Sequence, residues 1–352
     1  MDIREILQKA IDSDAADIFM IAGIPVTFKC HGHQIRLPGE RLMSEDIGLL
    51  VDEIYALSKR ARTNLEAGID DDFSFSIAHM GRFRVNVFRQ RGSLAAVIRV
   101  IHFGLPDPAQ LGIPESVLSL ADNKKGLVLI TGAAGTGKST TLACMIDRIN
   151  KSRDCHIITM EDPIEYIHRH DKSIVTQREI SIDTPGYLES LRSALRESPD
   201  VILLGEMRDY DTISAAITAA ETGVLLFSTL HTSSAANTIN RILDVFPANQ
   251  QQQVKIQLAQ ILKGVVCQQL VPGIEGGQIP VFEIMKSTVA IQNMIREDKL
   301  HQLDSAMQSG AADGMCTMDG SLLRLVREGK ISKQTALISC VHYENMQKRL
   351  GM

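Results

Sequence analysis

Gly132-Ala133-Ala134-Gly135-Thr136-Gly137-Lys138-Ser139 follows the apolar run Leu127-Val128-Leu129-Ile130 by way of Thr131 and leads directly into Thr140-Thr141-Leu142-Ala143-Cys144-Met145-Ile146. The order is strand, phosphate loop, helix. The glycines let backbone N–H groups converge on phosphate oxygens, and the helix N-terminus adds its positive dipole end. Lys138 is placed to neutralise β- and γ-phosphates and Ser139 to ligate Mg²⁺, with Thr140 next on the same turn. A glycine-rich turn without a ligand needs no Lys-Ser pair in this frame. The stretch therefore implies an α/β domain that holds a nucleoside triphosphate at the carboxyl end of a strand.

The chain has 352 residues, too many for one compact core of common size, so two domains are expected. A formal net charge of −5 with mixed signs makes nucleic acid an unexpected partner. Six cysteines (Cys30, Cys144, Cys155, Cys267, Cys316, Cys340) form no C-x-x-C pair and read as reduced core residues rather than as ligands or disulfides. Asp2, Arg4, Glu5, Lys9, Asp12, Asp14 and Asp17 crowd the N-terminus and leave no room for a signal peptide. No apolar run approaches the ~18 residues of a membrane span, so a cytoplasmic protein is expected, with no direct membrane insertion.

Residues 2–12 have helical spacing, and short β-prone runs follow at 17–21, 26–30 and 34–37. A helix is expected from about Ser44, taken as its N-cap, and then three strands over Phe73–Ile77, Phe83–Val87 and Leu94–Ile101. This predicts a small α+β domain over residues 1–101 with a mainly antiparallel sheet. Its strands carry Arg82, Arg84, Arg89, Arg91 and Arg99. Such arginines protect a solvent face, or reach phosphates or acids of a neighbour. Residues 102–116, with three prolines and two glycines, read as a linker.

Beyond the phosphate loop, three more buried strands each end in polar residues. Cys155–Met160 runs into Glu161-Asp162-Pro163-Ile164-Glu165, whose carboxylates suit positioning a water or holding magnesium. Val201–Leu204 runs into Gly205-Glu206-Met207-Arg208-Asp209; here glycine stands where an aspartate commonly ends such a strand, and Glu206 is taken as the partner of Ser139 around Mg²⁺. Val224–Leu230 runs into His231-Thr232-Ser233-Ser234, and His231 among hydroxyls suits sensing of the γ-phosphate. A helical pattern continues through Val254, Ile256, Leu258, Ile261 and Leu262. The nucleotide domain is expected to span 117–277, and 278–352 to be a helical extension.

Taken together, residues 132–139, Met160–Tyr166, Leu204–Asp209 and Thr229–Ala236 resemble, in order, the Walker A, Asp box, Walker B and His box of the secretion-type ATPases, the motors of type II secretion and type IV pili. The resemblance implies a RecA-like P-loop ATPase domain preceded by a small PAS-like domain. It implies ATP and Mg²⁺ as ligands, a homohexamer as the working form, and an inner-membrane pilus platform protein as partner. Glu165 would be the catalytic glutamate that orients water and Glu206 the magnesium partner. Lys138 and Ser139 would anchor the triphosphate. Arg208 is a candidate in cis for charge on the transferring phosphoryl group, and the five N-terminal arginines are candidates in trans.

Ala16-Asp17-Ile18-Phe19 and Gly81-Arg82-Phe83-Arg84-Val85-Asn86 resemble signatures of the pilus-retraction branch. Assembly-type relatives carry a longer N-terminal region and a tetracysteine zinc insertion, and the lack of any C-x-x-C here favours retraction over extension. Ala290–Glu297 resembles the retraction-associated motif Ala-Ile-Arg-Asn-Leu-Ile-Arg-Glu, with Gln292 in place of arginine and Met294 in place of leucine. The alternatives are a motor for pilus extension or type II secretion, and a slow nucleotide-dependent scaffold. Intact Lys138, Glu165 and Glu206 argue against the scaffold. A nucleic-acid translocase is disfavoured by the acidic balance and the lack of stacking aromatics.

Overall fold

The computed structural model describes residues 2–30, 32–78, 80–101 and 104–351. It divides into two compact units. One runs to Gly104 and includes Glu165–Ile167; the other is made of Leu105–Ile164 and the chain from His168 onward.

In the first unit, α1 (Ile3–Asp12) is capped by Asp2, whose carboxylate accepts from the Glu5 N–H at 2.8 Å. There follow β1 (Asp17–Met20), β2 (Thr27–Cys30), β3 (His33–Arg36), α2 (Ser44–Ser58), α3 (Thr63–Glu66), β4 (Asp71–Ile77), β5 (Gly81–Gln90) and β6 (Ser93–Ile101). The six strands form one antiparallel sheet in the order β3-β2-β1-β6-β5-β4. Alternation on β4 to β6 sends Phe73, Phe75, Phe83, Val85 and Ile98 into a core shared with Ile6 and Leu7 of α1 and Ile47, Val51 and Ile54 of α2. Ser44 is the first residue of α2 rather than its cap. The terminus is held instead by Asp46, whose carboxylate accepts from the Met43 N–H at 2.7 Å.

On the other sheet face Arg84 sits opposite Arg99. Like charges in that register repel, and each is matched by its own carboxylate. Arg84 donates to both oxygens of Asp72 (3.1 and 2.6 Å), and Arg99 to Asp17 (3.0 Å).

The second unit contains α4 (Glu115–Leu118), β7 (Gly126–Thr131), α5 (Lys138–Ser152), β8 (His156–Glu161), β9 (Ile174–Glu179), α6 (Tyr187–Ala194) and β10 (Val201–Leu204). It continues with α7 (Tyr210–Glu221), β11 (Leu225–Leu230), α8 (Ala235–Asp244), α9 (Ala248–Ile261), β12 (Leu262–Pro272) and β13 (Gln278–Lys286). The sheet order is β13-β12-β7-β11-β10-β8-β9, parallel except for β13 at one edge. β7, β10 and β11 are buried along their whole length because helices cover both faces. On β7, Leu127 and Leu129 face the helices α6 to α9, while Val128 and Ile130 face α5. Short helices close the chain: α10 (Val289–Arg296), α11 (Leu303–Ser309), α12 (Met318–Arg327), α13 (Lys333–Ser339) and α14 (Tyr343–Leu350).

The expectation that 278–352 is helical is corrected at its start, where Gln278–Lys286 is strand β13, paired antiparallel with β12. Pro280 lies within it, which an edge strand tolerates because one side of its ladder needs no donor. Of the expected linker, His102 and Phe103 lie outside the described residues; from Leu105 the chain belongs to the second unit. All six cysteines are free. Among the described residues no helix is long and apolar enough to cross a membrane.

Candidate active site

Four adjacent parallel strands, β7, β11, β10 and β8, end along one edge of the second unit's sheet. They deliver, side by side, the loop 132–137, His231, Glu206 and Glu161. Sheet register fixes this alignment: Thr131 pairs with Leu230, and Leu204 with both Ser228 and Met160. Hydrogen bonds tie the strand ends beyond the ladder. The Gly205 N–H donates to Met160 O (2.8 Å), the Thr229 hydroxyl to Gly205 O (2.6 Å), and the Met207 N–H to Thr229 O (3.2 Å). A mobile surface turn would lack these bonds, so Glu206 projects from a fixed point.

The phosphate loop is already folded. Gly137 caps α5 at φ +86°, and Thr136 Oγ1 donates to Ala133 O (2.9 Å). Gly132 must be glycine for a steric reason: a Cβ there would lie 2.2 Å from the carbonyl oxygen of Gln268. The Lys138 ammonium curls back to donate to Gly132 O (2.9 Å) and Ala133 O (2.8 Å). Ala133, Ala134, Gly135 and Ser139 are exposed, and Thr140 is half-buried on the same first turn. A cavity of about 500 Å³ opens beside the loop, lined by Gly132, Ala133 and Thr136, by His231, Thr232, Ser233 and Asn237, and by Cys267 to Leu270. Its volume suits a nucleotide.

Glu206 keeps 15% of its side chain exposed; its Oε2 takes Arg208 Nε at 2.7 Å and faces His231 Nε2 at 3.6 Å. The structure thus brings Lys138, Glu206, Arg208 and His231 into one unit. Glu165 is different. It is exposed beyond the end of β8, within the segment Glu165–Ile167 that groups with the first unit. Glu161, at the end of β8, is engaged by Thr159 Oγ1 (2.6 Å) and Gln177 Nε2 (3.2 Å).

Three residues are missed by sequence reasoning. Tyr187, at the start of α6, puts its hydroxyl 2.7 Å from where a Cβ of Gly205 would stand, with Met160 O at 3.0 Å. This explains why glycine, and not aspartate, follows β10. Burial raises the Tyr187 pKa, and the nearby carboxylates of Glu206 and Asp162 raise it further, so the phenol stays protonated.

Gln268 on β12 is 3% exposed and lies against the loop. Glu283 on β13 is 2% exposed, and accepts from the Ala235 N–H (2.7 Å) and the Met318 N–H (3.1 Å), the first residues of α8 and α12. Burial raises its pKa. The one signal for both in the sequence is a polar residue within a run of apolar ones.

The chain is similar to known proteins over most of its length. Residues 1–302 match the family model described as type II/IV secretion system protein. The chain is 45% identical over 336 residues to the type IV pilus retraction ATPase PilT of Pseudomonas aeruginosa, covering 96% of this chain and 97% of that one. It is 42% identical over 319 residues to a twitching motility protein of Neisseria gonorrhoeae, covering 90% and 85%. A crystal structure of the pilus retraction motor PilT with bound ADP superposes with a TM-score of 0.90 at 45% identity, covering 99% of each chain. The chain belongs to the type II/IV secretion system protein family and is an ATPase.

Proposed function

We propose that this ATPase works as a homohexameric ring that converts ATP hydrolysis into retraction of type IV pili. The observation that supports it most is the row of Lys138, His231 and Glu206 along one sheet edge, in a chain alike from end to end to a retraction motor. In this reading Lys138 leaves its two loop carbonyls for the β- and γ-phosphates, and backbone N–H groups of 132–140 hold the rest of the triphosphate. Ser139 and Glu206 would hold Mg²⁺; both are oxygen donors, one exposed and one partly so, as a hard cation with bound waters requires. That ion would supply charge neutralisation between the β- and γ-phosphates. Glu165 orients the attacking water. His231, next to Glu206, reports the γ-phosphate to α8. Arg208 offers its guanidinium in cis, and Arg82, Arg84, Arg89, Arg91 and Arg99 are the candidates in trans.

The ring would sit at the inner face of the cell membrane through an inner-membrane platform protein, with no nucleic acid and no inserted segment. The first unit acts as the moving arm, the core 117–277 burns ATP, and the chain beyond it transmits the change. Deleting the gene in its own cell tests the direction of work. Surface pili that persist but fail to shorten are expected, whereas cells without pili would make it an extension motor.

A further inference from the structure

We propose that Gln268 is a positioning residue of the phosphate loop, holding it at both framing glycines so that nucleotide meets a preformed site. β12 lies parallel to β7, with Cys267 beside Thr131, which sets Gln268 level with the start of the loop. From there it closes on the loop at two points and bonds the helix at a third. Its main-chain carbonyl oxygen occupies the space of a Gly132 side chain, 2.2 Å from the Cβ position. Its carboxamide passes to the far end of the loop, where Nε2 is 2.9 Å from the Cβ position of Gly137. Its Oε1 accepts from Thr141 Oγ1 at 2.8 Å, one turn into α5. A single buried residue thus lies against both ends of the loop, its main chain at Gly132 and its side chain at Gly137, and the side chain also bonds the helix the loop feeds.

The state of Lys138 gives these contacts a role. The ammonium now braces the loop through Gly132 O and Ala133 O. It must release both to reach a phosphate, and the loop would then lose its internal brace when it has to hold its shape. The Gln268–Thr141 bond does not involve the ammonium, so it survives the exchange. A group that fixes the loop equally for substrate and transition state contributes uniform binding, which appears in KM and not in kcat. ADP binding should depend on it as well, because the loop grips the β-phosphate.

The inference rests on the ATPase reading of the loop, which Lys138→Ala tests separately by abolishing nucleotide binding whatever Gln268 does. The full-length chain is assayed for MgATP turnover, for MgADP binding by calorimetry, and for thermal unfolding. Gln268→Ala is expected to raise KM for ATP and Kd for ADP by about tenfold, with kcat within about threefold of the parent, the scale of one buried hydrogen bond. Gln268→Glu keeps the volume and the acceptor for Thr141 but sets a carboxylate against an anion-binding loop. It should weaken both constants at least as much, a result that mere space-filling would not give. Thr141→Val should act in the same direction, and combined with Gln268→Ala should add little, because both remove one bond. The inference is overturned if Gln268→Glu binds ADP within about twofold of the parent, or if the variants lower kcat at unchanged KM. Should Gln268→Ala fail to fold, Gln268→Glu and Thr141→Val decide alone.

Discussion

Glu283 offers a quantitative test of how the site is tied to the C-terminal helices. Its two oxygens each accept the first backbone N–H of a helix, α8 at 2.7 Å and α12 at 3.1 Å. Each terminus also has its own side-chain cap: Ser234 Oγ accepts from the Asn237 N–H and Thr317 Oγ1 from the Gly320 N–H. The carboxylate therefore answers donors that the ordinary caps do not reach, at the positive ends of two helix dipoles. Glu283→Ala leaves two buried N–H groups unpaired at about 1–3 kcal/mol each and adds a small cavity, for a total of roughly 3–6 kcal/mol. That is a large part of the ~5–15 kcal/mol stability of a whole domain. Glu283→Gln preserves shape and one acceptor but turns an NH₂ toward one N–H, and should cost about 1–3 kcal/mol.

Two units need not unfold together, so a single melting curve is the wrong measure of this loss. Hydrogen exchange is the better assay. Amides in the first turns of α8 and α12 should lose protection in Glu283→Gln, while those of β1 to β6 in the other unit should not change. Because α8 follows His231 by a few residues, turnover should fall along with that protection. Unchanged exchange at Ala235 and Met318 would refute the reasoning, since it would mean that neither N–H depends on the carboxylate.

Glu206→Gln and Glu165→Gln should each abolish ATP turnover and leave ATP binding nearly intact; normal turnover in both variants would remove the proposed roles. Gly205→Ala should destabilise the nucleotide unit by about 1–3 kcal/mol through overpacking against Tyr187 and Met160 O, and Tyr187→Phe should recover part of that loss in the hydrogen-exchange protection of β10 and β11. His168, 8% exposed, has its pKa lowered by burial from 6.5 to about 4. Between those values the unfolded chain binds the proton and the folded chain does not, so stability is lost as pH falls through that window, by about 3 kcal/mol at most. His168→Phe should flatten this acid limb in denaturant titrations, and an unchanged slope would remove His168 as its source.

The sequence reading succeeds where one local pattern determines the outcome and stalls where burial is decided at long range. β7, β8, β10 and β11 are apolar runs bounded by turn residues, and parallel packing under helices on both faces leaves them no other place. The residues just past those strands follow, because chemistry collects at the carboxyl ends of parallel strands. β12 gives no such signal. It leaves α9 at Leu262 with no glycine or proline between, and it carries Gln268 and Gln269. Gln268 is buried only because β12 pairs with β7, more than a hundred residues earlier in the chain, a separation that also spans the Thr131–Cys267 contact at 3.1 Å. Tyr187 reads as a helix start, and only the folded sheet shows its hydroxyl closing the space beside Gly205. Arg84 and Arg99 show the reverse case: the basic strand pattern leaves open what such arginines meet, and only the folded sheet shows that Asp72 and Asp17 engage these two.

In the proposed mechanism the charges of the site are also arranged as exchanges waiting to occur. Lys138 is held by two carbonyls and Glu206 by Arg208, so each ligand-binding group already has an internal partner. The two exchanges differ in cost. Lys138 is nearly buried and trades two short bonds for phosphate oxygens, which requires the triphosphate to be in place. Arg208 is 73% exposed, and an ion pair in that setting contributes only about 0–1 kcal/mol. Glu206 can therefore turn from Arg208 at little cost, and the guanidinium it releases is already beside the end of β10. A strongly buried pair there would hold Glu206 in the resting arrangement, whereas a weak one shields its charge and still yields. Rigidity in the loop and weakness in the pair are complementary: the first sets where the phosphates go, and the second lets Glu206 and Arg208 respond once they arrive.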